Sequence, residues 1–203
     1  MIRTTLFLAI VLTALVVAAQ DVPTSTRLAA RQKTELDKNF TYKGKAVNPR
    51  AIKDLTEWIN DPLPGPIAID VGGTYDTNRY FGEYKTREDG FVEIDLTQEY
   101  IKEEGSFSYK RIGRLRNGYL VLLTAFWAGG SGVFESILLL QSSVEFEHLA
   151  DGTRRPQLIL RRRGEYSLGD RYGGDIKVDS HHNAIFVGAD KRNYPKAFWI
   201  RIR

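Results

Sequence analysis

Hydrophobic and polar positions alternate along most of the chain after residue 66, and clusters of glycine, asparagine and aspartate separate the apolar runs. Alternation with a period of two is typical of half-buried β-strands, and such clusters are typical of the turns between them. Strands are predicted over residues 67–71, 80–85, 91–95, 106–112, 118–127, 133–140, 143–148, 157–163, 175–179, 184–188 and 197–202. Many short strands without intervening long helices predict a mainly β domain, a single antiparallel β-sandwich or barrel-like structure.

Two segments, 119–127 and 137–140, are apolar at nearly every position. Strands that are covered on both faces show this pattern, so these two are expected at the centre of the sheet. Segment 143–148 instead alternates apolar residues with Glu145 and Glu147, which indicates one buried and one exposed face.

One segment with the apolar spacing of an α-helix precedes the strands. Asn48 suits an N-cap, Pro49 suits the first helical position, and apolar residues follow at spacings of three and four. The proline-rich segment 60–66 ends the pattern. The sequence therefore predicts one N-terminal helix over about 49–60, packed against the sheet.

The first 19 residues have the organisation of an export signal. Arg3 is followed by an uncharged run from Leu6 to Ala19, and Val17 and Ala19 are small enough for a signal peptidase site. The run is shorter than the ~20 apolar residues of a spanning helix, so an uncleaved anchor is the less favoured alternative. We predict a secreted or periplasmic protein whose signal peptide is cleaved near Ala19.

Cleavage at that point leaves 184 of the 203 residues, a length that suits one domain. The predicted organisation is a signal peptide over 1–19, a polar N-terminal spacer over 20–47 with one marginal helix around residues 26–38, and a single β-rich domain over 48–203. With 42% hydrophobic residues, the chain has enough apolar surface for a packed core.

Charge and cysteine content narrow the function classes. The net charge of +4 is too small to indicate a nucleic-acid binder. The chain contains no cysteine, whereas small secreted eukaryotic domains usually depend on disulfides. This favours a bacterial periplasmic or extracellular protein that is not an integral membrane protein after cleavage.

Segment 67–74, with the sequence Ile-Ala-Ile-Asp-Val-Gly-Gly-Thr, places Asp70 and two glycines after a strand. It resembles the first phosphate-binding segment of the sugar kinases of the actin-like ATPase superfamily, where the backbone approaches nucleotide phosphates. That family needs two large domains, for which 184 residues give no room. We therefore interpret the segment as a strand that ends in a glycine turn, and we expect no cofactor.

A glycine-rich loop joins the two most apolar strands. Its spacing is wrong for a nucleophile elbow, because Val133 stands where the second glycine would be. Such a loop between aromatic residues can form the rim of a ligand-binding pocket, or it can be a simple hairpin turn. The candidate ligand-binding residues are Trp127, Gly129, Gly130, Ser131, Gly132 and Phe134.

Basic residues are concentrated in two segments. The candidate anion-binding residues are Arg154, Arg155, Arg161, Arg162 and Arg163, and a second cluster contains Lys110, Arg111, Arg114 and Arg116. Arginines on strands protect sheet edges and form surface ion pairs, which is the favoured interpretation. The alternative is an anionic partner such as an acidic polysaccharide or lipid headgroups.

Neither a metal site nor a catalytic site can be assembled from the sequence. His181 and His182 are adjacent, and neighbouring residues on a strand face opposite sides, so no metal is expected. Carboxylates suited to glycoside hydrolysis are numerous, but their pairing is not encoded locally. They are Asp70, Asp76, Glu83, Glu93 and Asp95.

These observations predict an exported bacterial envelope protein that acts as a non-enzymatic binding or interaction module. Its expected partner is an anionic polymer or another envelope protein. The alternative is a hydrolase of envelope polysaccharide or another polymer that uses paired carboxylates, so enzymatic activity stays open.

Overall fold

The computed structural model describes residues 24–56, 66–72, 83–97 and 105–203. The predicted signal peptide lies outside these residues. So do the last four positions of the helix predicted over 49–60, the first part of the strand predicted over 80–85, and the candidate carboxylate Asp76.

The N-terminal part is helical with one small ribbon. Helix α1 (Thr24–Asn39) is followed by strands β1 (Thr41–Tyr42) and β2 (Lys45–Ala46), which pair antiparallel, and by helix α2 (Pro49–Lys53). Helix α2 begins where the sequence predicts, because the Asn48 side chain accepts a hydrogen bond from Arg50 N at 2.9 Å and Pro49 occupies the first turn. It ends at Lys53, earlier than the predicted end near residue 60, and residues 54–56 form a turn.

Seven strands form one curled antiparallel sheet, which confirms the predicted mainly β antiparallel fold. Its spatial order is β3-β9-β8-β7-β6-β5-β4. The strands are β3 (Ala68–Asp70), β4 (Lys85–Thr86), β5 (Val92–Asp95), β6 (Ser106–Arg114), β7 (Leu120–Trp127), β8 (Val133–His148) and β9 (Arg154–Asp170). A separate three-stranded sheet contains β10 (Ile176–Asp179), β11 (Ala184–Val187) and β12 (Phe198–Arg201).

Strand β8 is one continuous strand, whereas the sequence predicts two strands over 133–140 and 143–148. The polar residues 141–143 suggest an interruption of the strand. No interruption is needed in the structure, because the Ser142 hydroxyl donates a hydrogen bond to the Asp37 carboxylate on α1. A buried polar side chain with a partner is compatible with a continuous strand.

The first core lies between the helices and one face of the seven-stranded sheet. Leu36 and Phe40, in the segment predicted as a spacer, pack there with Leu122 and Leu138 of the central strands. The Phe40 and Tyr109 rings meet edge to face, with centroids 5.2 Å apart. Helix α1 is therefore fixed against β8 and β9 by burial of its apolar side chains.

The second core lies on the opposite face of the same sheet. Val121, Ile137 and Leu139 pack there against Ile185 and Val187 of β11. Residues 120–122 and 137–140 are buried on both faces, so the prediction that these segments are central is confirmed.

Candidate functional site

The predicted glycine-rich loop closes the hairpin between β7 and β8. Gly129 adopts a positive φ of 79°, and the Trp127 indole N–H donates to the Gly130 carbonyl. The Asp170 carboxylate accepts a hydrogen bond from Val133 N at 2.7 Å and holds the far side of the loop. Ser131 is exposed in this turn.

The two aromatic residues beside this loop are partly exposed, Trp127 to 36% and Phe134 to 47%. Trp127 pairs across the hairpin with Val133, and Phe134 pairs with Phe126. Residues directly opposite each other share a face, so Trp127 and Phe134 lie on opposite faces of the hairpin. The structure does not bring them together as two walls of one pocket.

The predicted anion-binding arginines lie on β9, and two of them form ion pairs with glutamates of β8. Arg155 is 2.6 Å from Glu147, and Arg161 is 3.1 Å from Glu145. Hydrogen bonds from Ser143 and then from Arg161 lower the pKa of Glu145. The two glutamates of β8 and the two arginines of β9 lie on the same face of the hairpin, and we call these four residues the arginine ladder.

The remaining three arginines of this cluster also have contacts. Arg163 donates to the Gln141 side chain at 2.8 Å, and the Arg154 guanidinium lies 4.8 Å from the centre of the Phe146 ring. The Arg162 backbone N–H donates to the Ile67 carbonyl at 2.8 Å, which extends the sheet beyond β3.

A cavity of about 380 Å³ lies between α1 and β6. We call it the basic cavity, and its lining residues are Thr34, Asp37, Lys38, Arg111 and Arg114. In the sequence, Arg111 and Arg114 are recognisable only as members of a basic cluster, and no motif marks the three lining residues contributed by α1.

Asp37 is the only acidic residue among the lining residues, and it is 8% exposed. One carboxylate oxygen accepts from the Ser142 hydroxyl. The other lies 2.7 Å from Lys33 Nζ and 3.3 Å from Arg114 Nη2. This single carboxylate therefore already has three partners and leaves little acceptor capacity for the other cations.

Arg111 lacks an acceptor for one of its donors. Its Nη2 donates to the Asp37 backbone carbonyl at 3.2 Å, but its buried Nε has no hydrogen-bond partner in the structure. Burial lowers the pKa of Arg111, the positive charge of Arg114 lowers it further, and Asp37 opposes both effects. Since a guanidinium stays protonated, the structure contains a buried cationic donor that is not satisfied.

The charges around this cavity are unequal. Lys33, Lys38, Arg111 and Arg114 face one carboxylate, that of Asp37. Within the described part of the chain Lys38 makes no ion pair or side-chain hydrogen bond, so its ammonium group is available to a ligand. The arrangement can bind an oxyanion, because arginine and lysine donors would satisfy its oxygens at a site with excess positive charge.

A cluster of carboxyl groups lies near the beginning of β8. Glu135 is half-buried and pairs with Gly169, directly before Asp170. Burial raises the pKa of Glu135 to about 7, and the nearby charges of Asp170 and Asp190 add to the effect. Glu135 is therefore partly protonated near neutral pH.

Asp190 is held in a loop between β11 and β12. Its carboxylate accepts from Asn193 Nδ2 at 2.6 Å and from Asn193 N at 3.1 Å. Desolvation acts to raise the pKa of Asp190, but these hydrogen bonds and those from backbone amides outweigh it and lower that pKa. One raised and one lowered pKa therefore occur in the same cluster.

Three of the carboxylates considered from sequence have local structural roles. Asp70 accepts from Gly72 N at 2.9 Å, Asp95 accepts from Thr97 N at 2.9 Å, and Glu93 lies 2.9 Å from Lys85 Nζ. Glu83 is an exposed residue before β4. The contact of Asp70 with Gly72 belongs to a turn after β3, as expected of a strand that ends at a glycine.

The two adjacent histidines lie in an exposed turn between β10 and β11. His182 Nδ1 is 2.7 Å from the Asp179 carboxylate, and the two imidazole rings lie edge to face. Within the described ranges, no group of three or more histidines and carboxylates is placed to hold a metal ion.

Comparison with known proteins found no matching family model, no similar curated protein and no similar solved structure. Neither helix in the described part of the chain has the length and apolar character needed to cross a membrane.

Proposed function

We propose that this chain is an exported, non-enzymatic binding module that holds an anionic group of its partner in the basic cavity. The unsatisfied Nε of Arg111 is the observation that carries this proposal. A buried donor without an acceptor costs free energy, and a bound oxyanion would remove that cost while neutralising excess charge.

The cavity geometry indicates what kind of group fits. A volume of about 380 Å³ is within the usual range for small-ligand sites, so a phosphate, sulfate or carboxylate group enters with space for its attached atoms. Arg111 is at the inner wall, whereas Lys38 and Arg114 are exposed. A negatively charged group at the end or along the side of an envelope polymer would reach all three.

The arginine ladder is less suited to this role. Arg155 and Arg161 already have carboxylate partners, so an incoming anion would have to compete with Glu147 and Glu145. The proposed export route rests on the signal-like segment 1–19, and N-terminal sequencing of the secreted protein should then begin at Gln20.

Calorimetric titration with inorganic phosphate and with polygalacturonate tests the proposal. We expect Lys38→Gln to weaken binding about 5-fold, because it removes a cation with no structural contacts, and Arg111→Gln to weaken it at least as much. The matched control is Lys45→Gln, which removes the same charge from an exposed position on β2. Affinity that is unchanged by both cavity variants, or equally reduced by Lys45→Gln, would contradict the proposal.

A second candidate function, hydrolysis of a polymer, is favoured by the placement of Glu135 beside Asp170 and Asp190. A carboxyl group that stays protonated near ionised carboxylates is the arrangement that general acid catalysis of glycoside hydrolysis requires. Release of reducing ends from peptidoglycan or polygalacturonate between pH 5.5 and 8 is the test. Turnover by the wild type and by Glu83→Gln, but not by Glu135→Gln, would place hydrolysis ahead of binding.

A further inference from the structure

The lining of the basic cavity has an excess of positive charge. Lys38, Arg111 and Arg114 are its cations and Asp37 is its carboxylate, so the lining has a net charge of +2. Lys33, beside the cavity, also uses the Asp37 carboxylate, at 2.7 Å. A bound anion with a single charge would therefore leave positive charge of the lining uncompensated at a partly buried site.

The two elements that form the cavity provide no second carboxylate to offset this charge. Helix α1 contains two acidic residues, Glu35 and Asp37, and β6 contains none. The Glu35 carboxylate accepts from the Thr41 hydroxyl at 2.8 Å and from Gly44 N at 2.7 Å. Glu35 is therefore held at the ribbon of β1 and β2, and it is not a lining residue of the cavity.

The two arginines keep most of their donors for a ligand. A guanidinium has five N–H donors. Within the described ranges Arg111 uses one of them on the Asp37 carbonyl, and its buried Nε has no acceptor. Arg114 donates from Nε to the Gly118 carbonyl at 3.3 Å and from Nη2 to the Asp37 carboxylate. Together with the ammonium group of Lys38, donors from both the helix and the strand are available. A carboxylate offers them two oxygens, whereas a phosphate monoester offers three.

The lining has little surface that could bind the rest of a ligand. Thr34 is its only uncharged residue, and the Thr34 hydroxyl donates to the Ala30 carbonyl at 3.1 Å. Sugar rings and acyl chains are usually held by aromatic and apolar side chains, and the five lining residues include none. Selection among ligands therefore depends on the charged group itself.

We propose that the basic cavity selects a phosphate monoester in its doubly charged form over carboxylates and phosphate diesters, which carry one charge each. This selectivity rests on the anion binding proposed above and adds the class of ligand. Two negative charges balance the net charge of the lining, and three peripheral oxygens accept from Lys38, Arg111 and Arg114 together. A phosphorylated glycan and a lipid headgroup can both present this group.

Calorimetric titration of the full chain with small anions measures this selectivity. The probes are glycerol phosphate as the monoester, dimethyl phosphate as a diester, galacturonate as a carboxylate, and sulfate as a second dianion. At pH 7.5 glycerol phosphate and sulfate should each bind about 10-fold more tightly than the two singly charged probes. Binding of all four anions with equal affinity would leave the anion site in place and overturn its selectivity. Failure of every anion to bind would contradict the proposed function itself.

The pH dependence separates the charge of the ligand from its shape. The second pKa of a phosphate monoester is about 6, so the affinity for glycerol phosphate should rise about 5-fold between pH 5 and pH 7.5 as the ligand loses its proton. Sulfate is doubly charged at both pH values, and its affinity should stay within about 2-fold. An affinity for glycerol phosphate that does not change with pH, or that changes in parallel with that for sulfate, would overturn the proposal.

A change in the charge of the lining should change the selectivity. Lys38→Gln lowers the net charge of the lining from +2 to +1, so the preference for glycerol phosphate over dimethyl phosphate should fall from about 10-fold to about 3-fold. The matched control Lys45→Gln removes an exposed charge from β2 and should keep the preference of the wild type. A preference that Lys38→Gln leaves unchanged, or that Lys45→Gln lowers equally, would overturn the proposal.

Two further ligands distinguish the sources of the monoester. Glucose 6-phosphate represents a phosphorylated glycan, and vesicles with phosphatidic acid represent a lipid headgroup. Vesicles with phosphatidylglycerol, a diester, are the control for general attraction to anionic lipid. Binding that Lys38→Gln weakens should occur with at least one of the two monoesters and identifies the source. Vesicle binding that is equal for both lipids, together with no binding of glucose 6-phosphate, would contradict the monoester selectivity.

Discussion

The basic cavity and the arginine ladder use the same residue types on one sheet, but their charges are balanced differently. On the ladder, Arg155 and Arg161 each have a glutamate on the neighbouring strand within 3.1 Å or less. At the cavity, the three lining cations and the neighbouring Lys33 share the single lining carboxylate of Asp37, and Arg111 Nε has no acceptor. The number of acceptors for each cation, more than the number of arginines, distinguishes a candidate anion site from a set of surface ion pairs.

The difference follows from the elements that build each region. Strands β8 and β9 place Glu147 directly opposite Arg155, whereas Arg161 is opposite Gln141 and reaches Glu145 along the same face. At the cavity, a helix packs across a sheet, and Arg111 of β6 meets the last turn of α1. That turn supplies a backbone carbonyl and one carboxylate, which are too few acceptors for the cations that converge there.

The largest expected effect is on stability. Asp37→Ala should lower the free energy of unfolding by about 2–3 kcal/mol, because it leaves Lys33, Arg114 and Ser142 without their common acceptor in a partly buried site. The equivalent change on the ladder, Glu147→Ala, should cost less than about 1 kcal/mol because its ion pair is exposed. Urea unfolding of both variants measures the difference, and equal costs would contradict the comparison.

The next effect is a gain of binding on the ladder. The double variant Glu145→Gln/Glu147→Gln frees Arg155 and Arg161 from their partners. Affinity for polygalacturonate at low salt should rise about 5-fold, which corresponds to about 1 kcal/mol. The control is Glu83→Gln/Glu88→Gln, which removes two exposed carboxylates, one before β4 and one in the turn between β4 and β5. A similar gain in the control would show that net charge, and not the release of these arginines, is responsible.

The smallest effect concerns a region with excess negative charge, where Glu135 lies near Asp170 and Asp190. The pKa of Glu135 in the folded protein is about 7, above its ordinary value of 4.5. Between these two pH values the folded protein holds more of the Glu135 proton than the unfolded chain does, so the free energy of unfolding falls as pH rises from 4.5 to 7. Glu135→Gln removes the ionisation. After allowance for solvent screening, the variant should be about 1 kcal/mol more stable than the wild type at pH 8.

The control for this prediction is the same comparison of wild type and Glu135→Gln at low pH. At pH 4 the wild-type carboxyl is mostly protonated, and the two proteins should then melt within about 1 °C of each other. Thermal melts at both pH values are sufficient. A stability difference that does not depend on pH would mean that Glu135 is not the titrating group.

The central strands could be predicted from sequence because their burial on both faces leaves a continuous apolar pattern. Residues 120–122 and 137–140 are examples. The continuity of β8 could not be predicted in the same way, since the partner that makes Ser142 acceptable inside the strand is Asp37, 105 residues earlier. Local pattern contains no information on a contact of that separation.

The basic cavity could not be predicted from sequence for a related reason. Sequence shows that Arg111 and Arg114 are basic, but whether a guanidinium has an acceptor depends on which element packs over it. The covering element is α1, whose few apolar residues are typical of a polar spacer. The amphipathic placement of Leu36 and Ala29 on one helical face was the signal available, and both are buried.

The order of strands in the sheet has a consequence for folding. Strands β6, β7, β8 and β9 follow one another as hairpins, so each pairing closes only a short loop. Contacts between residues close in sequence form fast during folding. Helix α1, in contrast, buries Leu36 and gains the contacts of Asp37 with Arg114 and Ser142 only against strands that lie 77 and 105 residues further along. During synthesis α1 therefore emerges before the strands that cover it, and until β8 is in place its apolar side remains open to solvent and to chaperones.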